Sequence, residues 1–312
     1  MIGAINARAT GDGRTASRRT RTARLNAMTV DVEDYFQVQA LERSIPRASW
    51  EQIPRRVEAN VDWLLNLFAA NDITATFFIL GWIAERHPEM VRRIAAEGHE
   101  LASHGYDHMR VDRLEPTTFR KDAKRSKEIL EDISGRNVIG YRAPTFSLGQ
   151  HTPWAHRILE EEEYRYSSSI YPIRHDLYGT SNAPRQPFQP ASCSLWELPL
   201  STRRMFGRNL PCAGGGYFRL LPYWLSRSNL EHVNHSDHLP CIFYTHPWEI
   251  DATQPKITGI GVRNRVRHYT NLRMMPRRLE QLVRDFSWSK VVDVFADWLY
   301  PTSSLEQPTL GK

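Results

Sequence analysis

Long apolar runs are missing from this chain of 312 residues. No uninterrupted hydrophobic stretch approaches the roughly 18 residues that a membrane span requires. The N-terminus carries arginines but no apolar core of the kind a secretory signal needs, so the sequence predicts an unexported, cytoplasmic protein. Cysteine is scarce too: Cys193, Cys212 and Cys241 are odd in number, widely spaced and outside any CxxC pattern. That excludes a disulfide framework and fits reduced, packed thiols. Excess charge of either sign is lacking once the first 27 residues are set aside. They hold six arginines and one aspartate, whereas the remainder has 35 basic and 34 acidic residues. Of the net charge of +6, +5 thus lies at one end, which reads as a solvated tail and not a nucleic-acid surface, and no nucleic-acid partner is expected. The triplet Gly214, Gly215, Gly216 is not followed by GK[ST], so its reading is a close backbone turn, not a phosphate cradle.

What is present is an α/β rhythm. Residues 1–27, rich in Arg, Thr, Ala and Gly, lack the large apolar side chains that would offset the entropy of ordering, and they read as a disordered leader. Met28 stands directly before the first strand and marks an alternative start. A strand is predicted over 28–32 and an amphipathic helix over 51–70, with Val57, Val61, Leu64, Leu65 and Phe68 on its core face. The apolar run 74–80 reads as a strand covered on both faces. A helix over 88–97, stopped by Gly98, leads to a strand over 99–103. Further helices are predicted over 116–134, 153–163, about 217–233 and 276–285, and further strands over 138–141, 166–170, 195–200, 241–245 and 290–294. The proline-rich, aperiodic stretch 172–194 is too long for an ordinary connection and reads as a functional loop that could wall a groove. One main domain over 28–300 is expected, with a distinct C-terminal region from about 172 and a flexible tail over 301–312.

Chemistry-bearing side chains collect where the strands end. LASHGYDH places His104 and His108 four residues apart just after one strand. Solvated histidines share that spacing, but VDVEDYF adds three carboxylates, Asp31, Glu33 and Asp34, at the end of another. Strand ends of α/β sheets are where such groups converge. YRAP delivers Arg142 after a third strand and YTHPWEID delivers His246 after a fourth. His232, His235 and His238 form a rival histidine group, read as a solvated helix end because no carboxylate-bearing strand end lies beside it.

In their order along the chain, VDVEDYFQV, SHGYDH, YRAP and YTHPW resemble the polysaccharide deacetylases of the NodB-homology type, carbohydrate esterase family 4. The resemblance runs from about Met28 to Leu299. GGGYFRLLP and YTHPWEID resemble, within that family, the exosortase (PEP-CTERM) locus-associated branch encoded with exopolysaccharide genes. The resemblance implies a distorted (β/α) barrel and an Asp-His-His site for zinc or a similar divalent ion. It also implies hydrolysis of N-acetyl groups on amino sugars of an N-acetylated glycan. Carried over residue by residue, Asp31 matches the general base, His104 and His108 the metal imidazoles, and Arg142 the arginine that holds the base. Thr145 would offer a backbone oxyanion donor, and His246 matches the general acid. The metal carboxylate is Asp34 if a turn begins after Val32, and Glu33 if strand alternation continues. One departure stands out: where relatives carry an aspartate beside the acid histidine, this chain has Ser167, Ser168, Ser169. Asp176 or Glu249 could substitute as the partner of His246. Two other functions share the scaffold, hydrolysis of a small amide or ureide and non-catalytic carbohydrate binding.

Overall fold

The computed structural model describes residues 24–301 apart from 177 and 192. The expected tail over 301–312 and most of the expected leader therefore lie outside the described residues. Ten strands and eleven helices follow one another among those described. The first half runs β1 (Leu25–Val32), α1 (Val57–Ala69), β2 (Thr76–Ile79), α2 (Gly81–Arg86), α3 (Pro88–Ala96), β3 (Glu100–Ser103), α4 (Pro116–Ser134), β4 (Gly140–Tyr141), α5 (Ala155–Glu161) and β5 (Tyr166–Ser167). The second comprises β6 (Trp196–Glu197), the hairpin β7 (Thr202–Met205) and β8 (Arg208–Pro211), α6 (Gly215–Leu220), α7 (Tyr223–His235), β9 (Ile242–Thr245), α8 (Val262–Tyr269), α9 (Met275–Asp285), β10 (Ser287–Ser289), α10 (Val291–Val294) and α11 (Ala296–Leu299).

Apart from the β7–β8 hairpin, the strands form a single sheet in which every pairing is parallel, in the order β10-β1-β2-β3-β4-β5-β6, with β9 also paired to β1. Ser201 and Gly214 approach the β9 edge: Ser201 Oγ accepts the Ile242 N–H at 2.8 Å, and Gly214 bridges Tyr244. The curled sheet is thus the distorted (β/α) barrel that the resemblance implies. Gly214 sits at φ 130°, and a Cβ there would meet the Tyr244 carbonyl oxygen at 2.0 Å, so only glycine permits this approach. The run TFFI of β2 is buried on both faces, as expected for a parallel strand under helices. One face looks into the barrel, where Phe78, Ala102, Tyr166, Leu198 and Tyr244 pack together, while Phe77 faces the helices.

The predicted helix over 116–134 is found with those bounds, Pro116 opening it and Gly135 closing it in the left-handed region at φ 65°. Elsewhere proline moved the boundaries. The helix expected from residue 51 begins only at Val57, because Pro54 holds Ile53 extended (φ −88°, ψ 131°) and leaves Arg47–Gln52 as a separate 3-10 turn. Pro222 splits the helix expected over 217–233 into α6 and α7. The strand expected over 290–294 is instead helix α10, preceded by β10. Ala27 pairs with Ser289 on one edge of β1 and with Ile242 on the other, and from Thr29 onward β2 occupies the edge that β10 began. A strand continuing past Ser289 would collide with β2, so the chain turns into a helix there.

The expected leader over 1–27 also needs correction, since Leu25, Asn26 and Ala27 are part of β1 and pair with β10. Buried Asn26 is a structural hub: its Oδ1 accepts the Cys241 N–H and the Asn234 side-chain amide, both at 2.7 Å. Asn26→Ala strands these donors in the interior and should cost about 1–3 kcal/mol of stability. A lowered urea midpoint with an unchanged m-value would be the measured sign.

Candidate metal and catalytic site

Strand alternation decides which carboxylate faces the histidines. Asp31 points into the barrel mouth, and Glu33, two residues on, follows it. Glu33, His104 and His108 are buried and offer three ligand atoms within 4.8 Å of one another, and no other such group occurs among the described residues. This corrects the expectation for Asp34. The turn sends Asp34 the other way, where its Oδ2 accepts the Arg56 and Val57 N–H groups at 2.7 and 3.0 Å and caps the start of α1. The rival histidines are not assembled: His232 and His235 lie in the last turn of α7.

The three residues fit a divalent ion. His104 Nδ1 lies 2.8 Å from the Arg142 carbonyl oxygen, which can only accept, so Nδ1 carries the proton and Nε2 keeps a free lone pair. Burial holds the His104 imidazole down at about 4, in its neutral, ligating form. Glu33 Oε2 stands 2.8 Å from His108 Nε2 and is otherwise without a hydrogen-bond partner. Burial alone pushes the Glu33 carboxyl up, but His108, with His246 and His104 behind it, holds it down at about 2. The other Glu33 oxygen accepts the Trp248 indole N–H at 3.1 Å. One carboxylate and two imidazoles leave positions open for water and substrate.

The loop that carries the histidines is clamped from three sides. The Gly81 and Trp82 N–H groups, which open α2, donate to the Gly105 and Tyr106 carbonyls at 2.9 and 2.8 Å. Asp122 on α4 accepts the Tyr106 N–H. Arg47 donates to the carbonyls of Asp107 and His108. His108 itself is held at φ 59°, a left-handed conformation that a non-glycine residue keeps only when its surroundings enforce it. The sequence pattern assigns no element to residues 81–86, where the first turn of α2 holds the loop.

Arg142 is fully buried at the barrel mouth. Its Nη1 donates to Asp31 Oδ1 at 2.6 Å and to Thr29 Oγ1 at 2.8 Å, while Nε and Nη2 reach the Ser168 carbonyl and hydroxyl, both at 3.0 Å. Phe78 covers the guanidinium at 4.0 Å. Ser168, in the stretch where the resemblance implies an aspartate, therefore serves Arg142. The stretch also serves the neighbour of Arg142: Ser169 Oγ accepts the Ala143 N–H. Thr145 lines the cleft at φ 58°.

The partner of His246 is Glu249, not Asp176. Glu249 Oε2 lies 3.3 Å from His246 Nδ1 and accepts the His246 backbone N–H at 3.0 Å. Asp176 is engaged with His175, Arg263 and Arg267. Buried Arg219, from the GGGYFR stretch, donates Nε to the other Glu249 oxygen at 2.8 Å and anchors itself on the carbonyls of Arg267, His268 and Thr270. Burial favours a neutral Glu249, yet Arg219 and His246 outweigh it and hold the carboxyl down at about 2. Burial likewise presses His246 toward the neutral form, but Glu249, reinforced by Glu33 and Asp31, raises it to about 9. The His246 ring stacks on Trp248 (centroids 5.3 Å, 22°), and its Nε2 lies 3.9 Å from Asp31 and 3.7 Å from Glu33. Arg219 and Trp248 were not singled out from the sequence; their adjacency to the glycine triplet and to His246 was the available signal.

Two substitutions separate the adjacent carboxylates. Glu33→Gln should lose divalent-ion affinity, read by calorimetric titration, with little change in melting temperature. Asp34→Asn should do the reverse, because it weakens charge-assisted bonds to two backbone N–H groups worth roughly 1.5–3 kcal/mol each.

Comparison with known proteins agrees with this geometry. Residues 49–166 match the polysaccharide deacetylase family, and residues 168–296 match a domain of unknown function, DUF3473. A peptidoglycan-N-acetylglucosamine deacetylase of Bacillus cereus is 35% identical over 72 residues, covering 23% of this chain and 26% of that protein. A chitooligosaccharide deacetylase of Rhizobium leguminosarum bv. trifolii is 34% identical over 67 residues, covering 22% and 31%. The chain thus spans about a third or less of the length of these relatives. A crystal structure of a Mycobacterium smegmatis protein described as a polysaccharide deacetylase superposes with a TM-score of 0.57 at 22% identity, over 92% of this chain and 95% of that one, and shares the fold. Residues 49–166 thus match the polysaccharide deacetylase family, and they lie in a barrel whose fold is shared with a protein so described.

Proposed function

We propose that the protein hydrolyses the N-acetyl group of amino-sugar units in a glycan, an exopolysaccharide or its precursor, with zinc as the ion at Glu33, His104 and His108. The observation that carries this reading is the placement of two differently supported proton carriers on one three-ligand cluster. Asp31 is held by a guanidinium and His246 by a carboxylate, and both face Glu33 and the histidines. Such an ion supplies a Lewis acid to an amide carbonyl and acidifies water.

The chain's own residues supply the rest. Asp31, oriented by Arg142, accepts the proton of the attacking water as its oxygen bonds to the acetyl carbon. The backbone N–H of Thr145 faces the oxyanion that this attack creates. An amine leaves poorly unless protonated, so His246 donates its proton to the amide nitrogen as the C–N bond breaks. Acetate and a free amino sugar result. Glu249 stabilises the imidazolium that must be ready for this, and Trp248 fixes both the His246 ring plane and the Glu33 carboxylate.

The cleft has a volume of about 250 Å³ and aromatic walls, with Tyr178, Tyr217, Tyr244 and Trp248 beside the charged groups. That combination suits a sugar, with apolar faces and hydroxyls to orient. It also shares Phe146, His175 and Tyr178 with a neighbouring cavity, which supports an extended substrate over a small amide or ureide. GGGYFRLLP and YTHPWEID support the exopolysaccharide assignment, and the buried, unbridged thiols of Cys212 and Cys241 support a cytoplasmic location.

Acetate release from a panel of N-acetylated oligosaccharides by zinc-loaded protein tests this reading directly. Release from none of them, with glycan binding intact, would establish the carbohydrate-binding alternative. Asp31→Asn and His246→Ala should each lower kcat by about 10²- to 10⁴-fold with metal and glycan still bound. Near wild-type turnover by either variant would remove that residue from its role. Glu249→Gln should lower kcat more than it raises KM, since it acts through His246; equal turnover would show that the histidine needs no anionic partner.

A further inference from the structure

A second concavity, of about 1010 Å³, lies between the 172–186 loop and the β7–β8 hairpin. Four arginines line it, Arg174, Arg185, Arg204 and Arg208, against a single acid, Asp237. That acid is committed, because Arg185 pairs with it and also donates to the Thr202 hydroxyl and carbonyl. The other three arginines are exposed, and their side chains meet no acceptor among the described residues. Exposed Arg113 does find a glutamate, whereas Arg43, Arg265 and Arg277 are exposed without an acceptor among the described residues, so what distinguishes Arg174, Arg204 and Arg208 is that they line one groove. The hairpin register shows which way Arg204 points. Arg204 pairs with Asn209 and Thr202 with Pro211, so these four share one face of the ribbon, the one that meets Arg185. The opposite face, with Arg203 on Asn229, is turned to α7; Arg208, opposite Met205, belongs to that face by register and lines the groove only from the open end of the hairpin.

Guanidinium groups do not shed their charge, so gathering them without counter-charges raises the local potential. Beyond the first 27 residues the chain is almost charge-balanced, which makes this concentration a local feature. The three free arginines come from a loop and from the two strands of the hairpin and do not converge on one point. That arrangement suits charges repeated along a polymer better than one compact anion. The groove is also continuous with the catalytic cleft. Ser181 and Asn182 line both it and an intermediate cavity of about 320 Å³, and that cavity shares Phe146, His175 and Tyr178 with the cleft.

We propose that this groove binds anionic groups of the same glycan chain whose N-acetylated unit occupies the cleft, which makes the substrate an acidic polysaccharide. The proposal rests on the deacetylase reading and adds a substrate class to it. Guanidinium–oxyanion bonds would hold carboxylates on sugars flanking the reacting unit.

Calorimetric binding to the full chain at low and high salt tests it, with an oligogalacturonide as the acidic probe. A neutral chitooligosaccharide of equal length, inorganic pyrophosphate and single-stranded DNA of equal charge serve as comparisons. The acidic oligosaccharide should bind in a salt-dependent way, and R174Q/R204Q and R204Q/R208Q should each weaken it roughly three- to tenfold. Both variants should keep the wild-type affinity for the neutral oligosaccharide and the wild-type circular dichroism spectrum. Equal binding of acidic and neutral probes by the wild type, or unchanged acidic binding by both variants, would overturn the proposal. So would pyrophosphate or DNA binding as tightly as the acidic oligosaccharide, which would mark a site for free phosphate or a generic polyanion patch. The two readings fail separately: if the arginine variants lose the acidic probe but the wild type releases acetate from no glycan, the groove stands and the deacetylase reading falls.

Discussion

The ion pair of Arg142 with Asp31 is the interaction on which the barrel mouth depends. A guanidinium with no solvent exposure is tolerable only if its donors are satisfied and its charge is balanced. Arg142 meets both demands by drawing on β1 through Thr29 and Asp31 and on the segment after β5 through Ser168. It thereby ties non-adjacent strands across the barrel. Its backbone carbonyl, meanwhile, sets the tautomer of His104. A single residue therefore orients the carboxylate proposed as base and one imidazole of the proposed metal site.

A second buried pair, Arg219 with Glu249, plays the matching part on the other side of the cleft. Both residues lie in the segment 168–296, whereas Asp31, Glu33 and the two histidines precede it. The strands β9 and β10 of that segment flank β1, so the sheet carrying the first carboxylates is completed by the chain that brings His246. The segment of unknown function is thus part of the barrel and of the site. It supplies His246, the groups that hold it, and the walls of both the cleft and the basic groove.

The serine stretch and Glu249 hold opposite sides of the cleft. Ser167, Ser168 and Ser169 cannot supply an anion to a histidine; in this barrel Ser168 accepts from Arg142 and Ser169 from Ala143, while Ser167 donates to Ser169. The anionic partner arrives from Glu249, one short turn beyond His246 itself. A negative group beside an imidazole acts through distance and burial, and either can be met from more than one point of the chain.

Much of the molecule was determined by local sequence. The buried run of β2, the proline-to-glycine limits of α4 and the clustering of polar groups at strand ends follow from side-chain preference and backbone freedom at single positions. The gathering of Asp31, His104, His108, Arg142 and His246 was legible because each lies near the end of a strand or just past it, and parallel strands end at one rim. Tertiary structure decided what depends on competition between distant segments. Whether the turn after Val32 turned Glu33 or Asp34 inward depended on the α1 backbone N–H groups waiting for a cap, some twenty residues away. Whether residues 290–294 formed a strand depended on β2 already holding that edge of β1. The partner of His246 and the gathering of free arginines beside the hairpin were decided the same way. Charge and hydrogen-bonding capacity are written into residue types, but which of them meet is set by packing, and no local pattern encodes it.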